Sequence, residues 1–164
     1  MIRFVKLPPA ALRALIDSDL PAASAAAGQQ LSEFIRDEKW LWEIRGEQIA
    51  RDPASADWIA RVAVDEPAGV VVGHGGFHGP PDAGGMVEVG YSVDPAYRRR
   101  GHARAMLAAL IERARAEPGV RVVRASISPD NAGSLATIAG FGFVEVGEQW
   151  DEQDGLELVF ELAV

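Results

Sequence analysis

Arginine is concentrated in one short segment of this chain, YRRRGHARAML, at residues 97–107. Three consecutive arginines lead into Gly101, and a fourth, Arg104, lies within the helical pattern that follows. The first amides of a helix have no partner inside it, and the helix dipole adds positive charge at that end. Such a junction favours a bound anion, phosphate especially. The segment therefore predicts a phosphate site, with a turn and solvated arginines as the alternative.

Two common phosphate-binding motifs are missing from the segment. No Gly-Lys-Ser/Thr follows it, as a P-loop requires, and the three glycines of a dinucleotide fingerprint are absent. Cysteine does not occur in the chain, and the three histidines are scattered. This excludes a cysteine nucleophile and leaves no ligand spacing for a metal ion, so we expect no metal cofactor.

The overall charge and hydropathy of the chain restrict its partners. The 164 residues carry a formal net charge of −8. Such a surface binds nucleic acid poorly, because phosphate neutralisation needs clustered lysine and arginine, and it favours cationic molecules instead. No apolar run reaches the roughly 20 residues of a membrane span, and the first residues lack a signal-peptide pattern. With the absence of cysteine, these features predict a cytoplasmic protein that binds neither nucleic acid nor membranes.

Alternating and helical hydrophobic patterns predict the elements around the arginine segment. Strands are predicted at residues 2–7, 57–65, 70–79, 86–95 and 120–128, with a terminal hairpin over 143–164. Helices are predicted at residues 8–20, 31–53, 101–117 and 129–142, the second with a break near Lys39 or Gly46. Residues 22–30 are rich in small side chains and have no clear pattern.

The order of these elements predicts the fold class. Strand–helix–strand around the arginine segment requires a crossover, which makes those two strands parallel. The three strands before the segment fit an antiparallel meander. We predict one domain over residues 1–164, a mixed α/β sheet with helices on both faces.

Two motifs resemble a known family. Arg98-x-x-Gly101-x-Ala103 resembles the acyl-CoA signature of the GCN5-related N-acetyltransferases, the GNAT family. A second segment, SPDNAGSLATIAGFGF, is similar to that family's Asn-x-x-Ser/Ala helix closed by Gly-Phe. The matching residues are Asn131, Ser134, Gly142 and Phe143. The resemblance covers nearly the whole chain, is weakest over residues 1–55, and is nearest the branch that includes ribosomal-protein N-terminal acetyltransferases. It implies a mostly antiparallel seven-stranded sheet with a splayed central parallel pair.

The resemblance also implies acetyl-CoA as cosubstrate and direct attack by a primary amine in a ternary complex. The pyrophosphate would lie against the amides of the arginine segment, and the pantetheine arm along the strand before it. The implied CoA-binding residues are Tyr91, Ser92, Val93, Arg98, Arg99, Arg100, Gly101, His102, Ala103, Arg104, Asn131 and Ser134. A backbone amide near Ser92 or Val93 would stabilise charge on the thioester oxygen. A bulge at Gly90 would open the strands.

An attacking amine must be neutral, so a general base is expected. Glu88 is the first candidate, because strand alternation places it on one face with Gly90 and Ser92, opposite the apolar residues. The family often uses a glutamate on this strand. The alternative is a glutamate that faces solvent or pairs with an arginine. His74 and His78 are further candidates because histidine titrates in the useful range, and ordinary hydrogen-bonding or edge roles are their alternative.

One position departs from the family pattern. Many members carry a tyrosine seven residues after the helix asparagine, as the acid for the leaving thiolate, and this chain has Ile138 there. A thiolate can take its proton from water, and Ser134 is a candidate to assist. The departure supports a competing function, a non-catalytic acyl-CoA-binding or sensor domain. Glu88 beside an open groove argues against it, and the intact arginine motif argues against a domain that has lost CoA altogether.

The acceptor is left open by the sequence. A protein N-terminus, an amino-acid derivative, a polyamine and an aminoglycoside-like compound all fit a primary amine, and the acidic composition favours a cationic one. Trp40 or Trp42 would line the acceptor groove, with a place in the core as the alternative. The acidic hairpin EQWDEQDG near Trp150 is either a solvated turn or a flank of a cationic acceptor. A homodimer is a common arrangement in the family.

Overall fold

The computed structural model describes all 164 residues and contains one seven-stranded sheet in the order β1-β2-β3-β4-β5-β7-β6. The strands are β1 (Ile2–Lys6), β2 (Arg61–Asp65), β3 (Val70–Phe77), β4 (Met86–Val93), β5 (Val122–Ile127), β6 (Val144–Asp151) and β7 (Gly155–Ala163). Every neighbouring pair is antiparallel except β4 and β5, which are parallel. The predicted mixed sheet with a central parallel pair is therefore confirmed.

Helices cover both faces of the sheet, as predicted. They are α1 (Pro9–Ile16), α2 (Leu20–Ala27), α3 (Glu33–Asp37), α4 (Lys39–Arg51), α5 (His102–Ala116) and α6 (Ala132–Ile138). Helices α1 to α4 pack on one face against Val62, Val64 and Val71. Helices α5 and α6 pack on the other face, where Val87 and Val89 of β4 are buried. No helix is long and apolar enough to cross a membrane.

The predicted boundaries fail where capping and tertiary contacts decide the structure. Residues 22–30 belong largely to α2, whose N-cap Asp19 accepts a hydrogen bond from Ala22 N and which ends at Gly28 in the left-handed region. The break predicted near Lys39 or Gly46 is, by contrast, confirmed at the first of these positions: the helix predicted over residues 31–53 is two helices that meet at Glu38. The strand predicted from residue 57 begins at Arg61, because residues 53–57 form a 3-10 turn capped by the Asp52 carboxylate.

The parallel pair opens partway along its length. β4 and β5 pair only from Met86–Val122 to Glu88–Arg124, although both strands continue beyond these residues. Each remains paired on its outer side, β4 with β3 and β5 with β7. The predicted splay is therefore present, and it leaves backbone groups of both strands without a partner between them.

Candidate active site

The loop after β4 is held by a buried carboxylate. Asp94, 7% exposed, accepts a hydrogen bond from Ala96 N at 2.9 Å and another from Ser32 Oγ at 2.9 Å. The first bond closes the 3-10 turn at Pro95–Tyr97, and the second joins it to the N-cap of α3. The exit of β4 is therefore fixed from two sides before the arginine segment begins.

The arginine segment turns through the left-handed region twice before α5. Arg99 has φ +61° and Gly101, the N-cap residue, has φ +82°. A non-glycine residue in this region costs roughly 1–2 kcal/mol, so the strain at Arg99 marks the loop as a functional candidate. A Cβ on Gly101 would meet no atom within 4 Å. Gly101 is therefore required by its backbone angle, and the space over it is open to a ligand.

A cavity of about 620 Å³, here called the loop cavity, lies against this segment. The loop cavity is lined by most of the residues that the sequence analysis predicted to bind CoA. They are Tyr91, Ser92, Val93, Arg98, Arg99, Gly101, His102, Ala103, Arg104, Asn131 and Ser134. Free amides at the start of a 15-residue helix and open space over glycine are the features that a pyrophosphate needs. The residues present therefore fit CoA.

The arginine side chains have different roles. Arg98 Nε donates to Val93 O at 3.1 Å. Arg100 does not line the loop cavity; its guanidinium carbon lies 5.6 Å from the centre of the Tyr97 ring. Arg104 lines the cavity, and its Nη1 also donates to two carbonyls at the end of α6 and fastens α5 to α6. These acceptors are Thr137 O at 3.1 Å and Ala139 O at 2.8 Å.

Replacing Arg104 with alanine should lower the free energy of unfolding by about 1–2 kcal/mol, because two hydrogen bonds from a charged group are lost. Urea unfolding followed by circular dichroism measures this. Arg115 of the same helix is the matched control: it forms only an exposed ion pair with Glu112 at 2.8 Å, so Arg115→Ala should cost less than about 0.5 kcal/mol. Equal losses in the two variants would contradict the assigned role of Arg104.

A second cavity, here called the strand cleft, fills the gap between β4 and β5. It measures about 270 Å³ and is lined by the diverging segments 89–91 and 125–128 together with Asn131 and Ser134. Strand alternation directs the backbone groups of Tyr91 and Val93 toward this gap and those of Ser92 toward β3, in agreement with the bond from Asp94 N to Val72 O. Of the two amides proposed from sequence, Val93 is the one directed away from β3, and Val93 lines the loop cavity rather than the strand cleft.

The predicted bulge at Gly90 is wrong. The register between β3 and β4 runs from Gly73–Val93 to Phe77–Val89 without a shift. The strands open instead by ending their pairing after Glu88. Gly90 has another reason to lack a side chain: its Cβ would lie 2.6 Å from His78 Nε2. Gly90 therefore makes room for an imidazole.

A third cavity, here called the groove, measures about 480 Å³. Its floor is β3 and β4, one wall is α4, and the other wall is the β6–β7 hairpin. Trp40, 51% exposed, and the buried Trp42 both line it. Trp42 Nε1 donates to Ile35 O at 2.6 Å. The exposed Trp40 ring is thus available to a ligand, whereas Trp42 is fixed in the core.

The three cavities meet at Tyr91, the one residue that lines all of them. Burial raises the pKa of Tyr91 to about 12. Its hydroxyl therefore stays protonated near neutral pH, which excludes it as a general base. A thioester at this junction would be reached from the groove on one side and from the loop cavity on the other.

Glu88 lies beside His78 on the groove face of the sheet. The Glu88 carboxylate is half-buried, and its Oε2 lies 3.8 Å from His78 Nδ1. His78 lines the groove and Glu88 does not. The other imidazole nitrogen, Nε2, lies over Gly90. The carboxylate predicted as base is therefore separated from the groove by an imidazole, which sequence reasoning had treated as an independent alternative.

Burial and the charges of neighbouring groups shift the pKa of His78 in opposite directions. Desolvation by surrounding atoms lowers the pKa of His78 below its usual value, the charge of Glu88 raises it, Arg45 lowers it, and Asp151 raises it. The net shift is downward, although 46% of the side chain remains exposed. His78 is therefore neutral near neutral pH and able to accept a proton.

His74 occupies the opposite end of the groove floor. Its ring is stacked on Phe34 and meets Trp42 edge-on, and only 7% of the residue is exposed. Its Nε2 lies 3.5 Å from Glu38 Oε2 but has no hydrogen-bond partner. Glu38 was not singled out from sequence, because nothing local links it to a histidine on a distant strand.

The helix carrying the second motif places its polar residues at the cleft and Ile138 away from it. Asn131 caps α6 by accepting a hydrogen bond from Ser134 N at 3.1 Å, and both residues line the loop cavity and the strand cleft. Ile138 is 5% exposed and packs in the core. Ile138 lines none of the three cavities. This position of α6 therefore supplies no proton donor for a leaving thiolate.

Comparison with known proteins agrees with this geometry. The model of the acetyltransferase (GNAT) family matches residues 14–143. An uncharacterised N-acetyltransferase, YjdG of Bacillus subtilis (strain 168), is 35% identical over 74 residues, which are 45% of this chain and 44% of that protein. The match thus spans less than half of the curated relative's length.

Solved structures extend the likeness to the whole chain. The ribosomal-protein-alanine N-acetyltransferase of Brucella melitensis is 27% identical, with a TM-score of 0.60 over 100% of this chain and 99% of that one. The acetyltransferase yncA of Salmonella typhimurium, solved with its cofactor acetyl-CoA, is 24% identical, with a TM-score of 0.58 over 99% and 92%. The first of these agrees with the branch that the sequence resembles. The chain therefore belongs to the GNAT family of acetyltransferases.

Proposed function

We propose that this protein is an N-acetyltransferase that moves an acetyl group from acetyl-CoA to a primary amine by direct attack. The observation that carries the proposal is the meeting of the loop cavity, the strand cleft and the groove at Tyr91. In this arrangement, acetyl-CoA would reach Tyr91 through the loop cavity and the strand cleft, and the acceptor amine would reach it through the groove. Family membership supports the same reaction.

The chain would hold acetyl-CoA by its backbone. Amides at the start of α5 bind the pyrophosphate, and unpaired groups of β4 bind the pantetheine arm in the strand cleft. The bound thioester supplies the acetyl group and the thiolate leaving group. The Val93 amide, directed away from β3 beside the loop cavity, stabilises negative charge on the thioester oxygen.

The proton of the amine would pass to the Glu88–His78 pair. The amine nitrogen forms a bond to the acetyl carbon, the carbon–sulfur bond breaks, and the amine proton goes to His78 directly or through water. Glu88 at 3.8 Å stabilises the imidazolium. The leaving thiolate takes its proton from water or with the help of Ser134, which lines the strand cleft.

Acetyl-CoA turnover against a panel of primary amines tests the proposal, with free thiol release as the measurement. We expect turnover with at least one amine and micromolar binding of CoA by calorimetry. Tight CoA binding without turnover on any amine would instead favour a non-catalytic acyl-CoA sensor. Glu88 pairs with His78, which lines the groove, rather than with an arginine, and this arrangement argues for the enzyme.

A further inference from the structure

The turn between β6 and β7 projects carboxylates into the groove. Asp151 Oδ1 accepts hydrogen bonds from Gln153 N at 2.8 Å and Asp154 N at 2.9 Å, which close the turn. The Asp154 carboxylate itself is exposed and has no hydrogen-bond or ion-pair partner in the chain. Glu157, at the start of β7, accepts one bond from Gln149 Nε2 at 2.9 Å. Asp154 and Glu157 line both the groove and the strand cleft.

The groove is lined by more carboxylates than guanidinium groups, so its net charge is negative. Four carboxylates line it, those of Glu38, Asp151, Asp154 and Glu157. The two arginines that line it bond elsewhere: Arg45 Nη1 to Gln48 Oε1 at 3.0 Å and Arg61 Nη2 to Asp57 O at 2.6 Å. No lysine or arginine forms an ion pair with any of the four carboxylates. A cation entering the groove would find acceptors on both walls.

A separate observation points to a ligand in the same groove. His74 Nε2 is buried and has no hydrogen-bond partner, and it faces Glu38 at 3.5 Å on the wall opposite the hairpin. A buried polar nitrogen without a partner carries a desolvation cost that a bound polar group can offset. A ligand cation bound by Glu38 would lie next to His74.

We propose that the acceptor is an amine with a second positive charge, which the groove carboxylates hold while the neutral amine reacts. This inference rests on the proposed acetyl transfer and names the substrate class of that site. Asp154 and Glu157 bind the cation from the hairpin, and Glu38, the residue before α4, binds it from the opposite wall beside His74. The carboxylates select charge, whereas the Glu88–His78 pair removes the proton.

Three amines of equal length test the charge preference: 1,4-diaminobutane, 4-amino-1-butanol and 4-aminobutyrate. They present the same primary amine with a second group that is positive, neutral or negative. In the wild-type protein we expect kcat/KM for the diamine to exceed that for the amino alcohol at least tenfold, and the amino acid to be the poorest acceptor. The preference should weaken as salt concentration rises.

A pair of double variants locates the preference in the groove. Asp154→Asn with Glu157→Gln should reduce the diamine preference below about threefold. The control, Glu148→Gln with Glu152→Gln, removes the same charge from the same hairpin but from residues that do not line the groove, and should keep the preference within about twofold. Binding of the three amines to the CoA-saturated protein, measured by calorimetry, should follow the same order.

The outcomes separate this inference from the proposed function. Turnover of all three amines at equal kcat/KM, or an equal loss of preference in the control, overturns the cation site and leaves acetyl transfer standing. No thiol release with any amine, in a protein that still binds CoA, overturns acetyl transfer and this inference with it.

Discussion

Replacing Gly101 with valine should weaken the binding of CoA about hundredfold, which corresponds to about 2.8 kcal/mol. The residue has φ +82°, and its missing side chain leaves open space at the start of α5. A branched side chain there either occupies the space proposed for the pyrophosphate or forces the loop out of the left-handed region, and each change disrupts the proposed phosphate site at the amides of α5. Isothermal calorimetry with free CoA measures the effect.

Gly28 provides a control with the same backbone cost. It ends α2 at φ +64° and, like Gly101, has no atom within 4 Å of a built Cβ, but it lies outside the three cavities. Valine at either position should destabilise the fold by about 1–2 kcal/mol or somewhat more. Only the Gly101 variant should lose CoA affinity. Similar CoA affinities in the two variants would rule out the loop as the pyrophosphate site.

The turn and helix start at the arginine segment could be predicted because their signals are local in sequence. A strand end, an arginine–glycine turn and a helix start lie within a few residues, and the spacing of Met106, Leu107 and Leu110 already indicates which face of α5 is buried. Two further features of this segment are visible only in the folded structure. The left-handed angle of Arg99 and the two carbonyls held by Arg104 depend on how the loop and α6 pack.

The acceptor side could not be predicted in the same way. Its walls come from α4, β3 and the β6–β7 hairpin, which are distant in sequence, so that Glu38 and Asp154 line one groove only after folding. The many carboxylates in the turn between β6 and β7 indicated a flank for a cationic acceptor. A turn that only faces solvent has the same composition, so the sequence could not distinguish the two. Alternation on β4 correctly separated Glu88 from the buried valines, yet it could not show His78 lying over Gly90.

Replacing His78 with asparagine should lower kcat/KM for acetyl transfer about 10²- to 10³-fold, within the range of general-base catalysis, while the affinity for CoA stays unchanged. Glu88→Gln should cause a smaller loss and shift the pH profile. Desolvation lowers the pKa of His78 and the Glu88 charge raises it. Removing that charge lowers the pKa further, so the acid limb of kcat/KM should move to lower pH. If the acid limb of kcat/KM moved to higher pH in Glu88→Gln, the assigned role of Glu88 would be wrong. If His78→Asn kept full activity, the assigned role of His78 as the base would be wrong.

Glycine 90 offers a test that removes no titratable group. In Gly90→Ala the new methyl group would lie 2.6 Å from His78 Nε2, so the imidazole must leave its place between Glu88 and the groove. We expect kcat/KM to fall about tenfold or more. Gly147→Ala, in β6 with no atom within 4 Å of its Cβ, controls for the general effect of alanine in a strand and should leave kcat/KM unchanged. A selective loss of kcat/KM in Gly90→Ala, with CoA affinity unchanged, would support proton transfer through His78, whereas a parallel loss of CoA affinity would place the effect in the strand cleft.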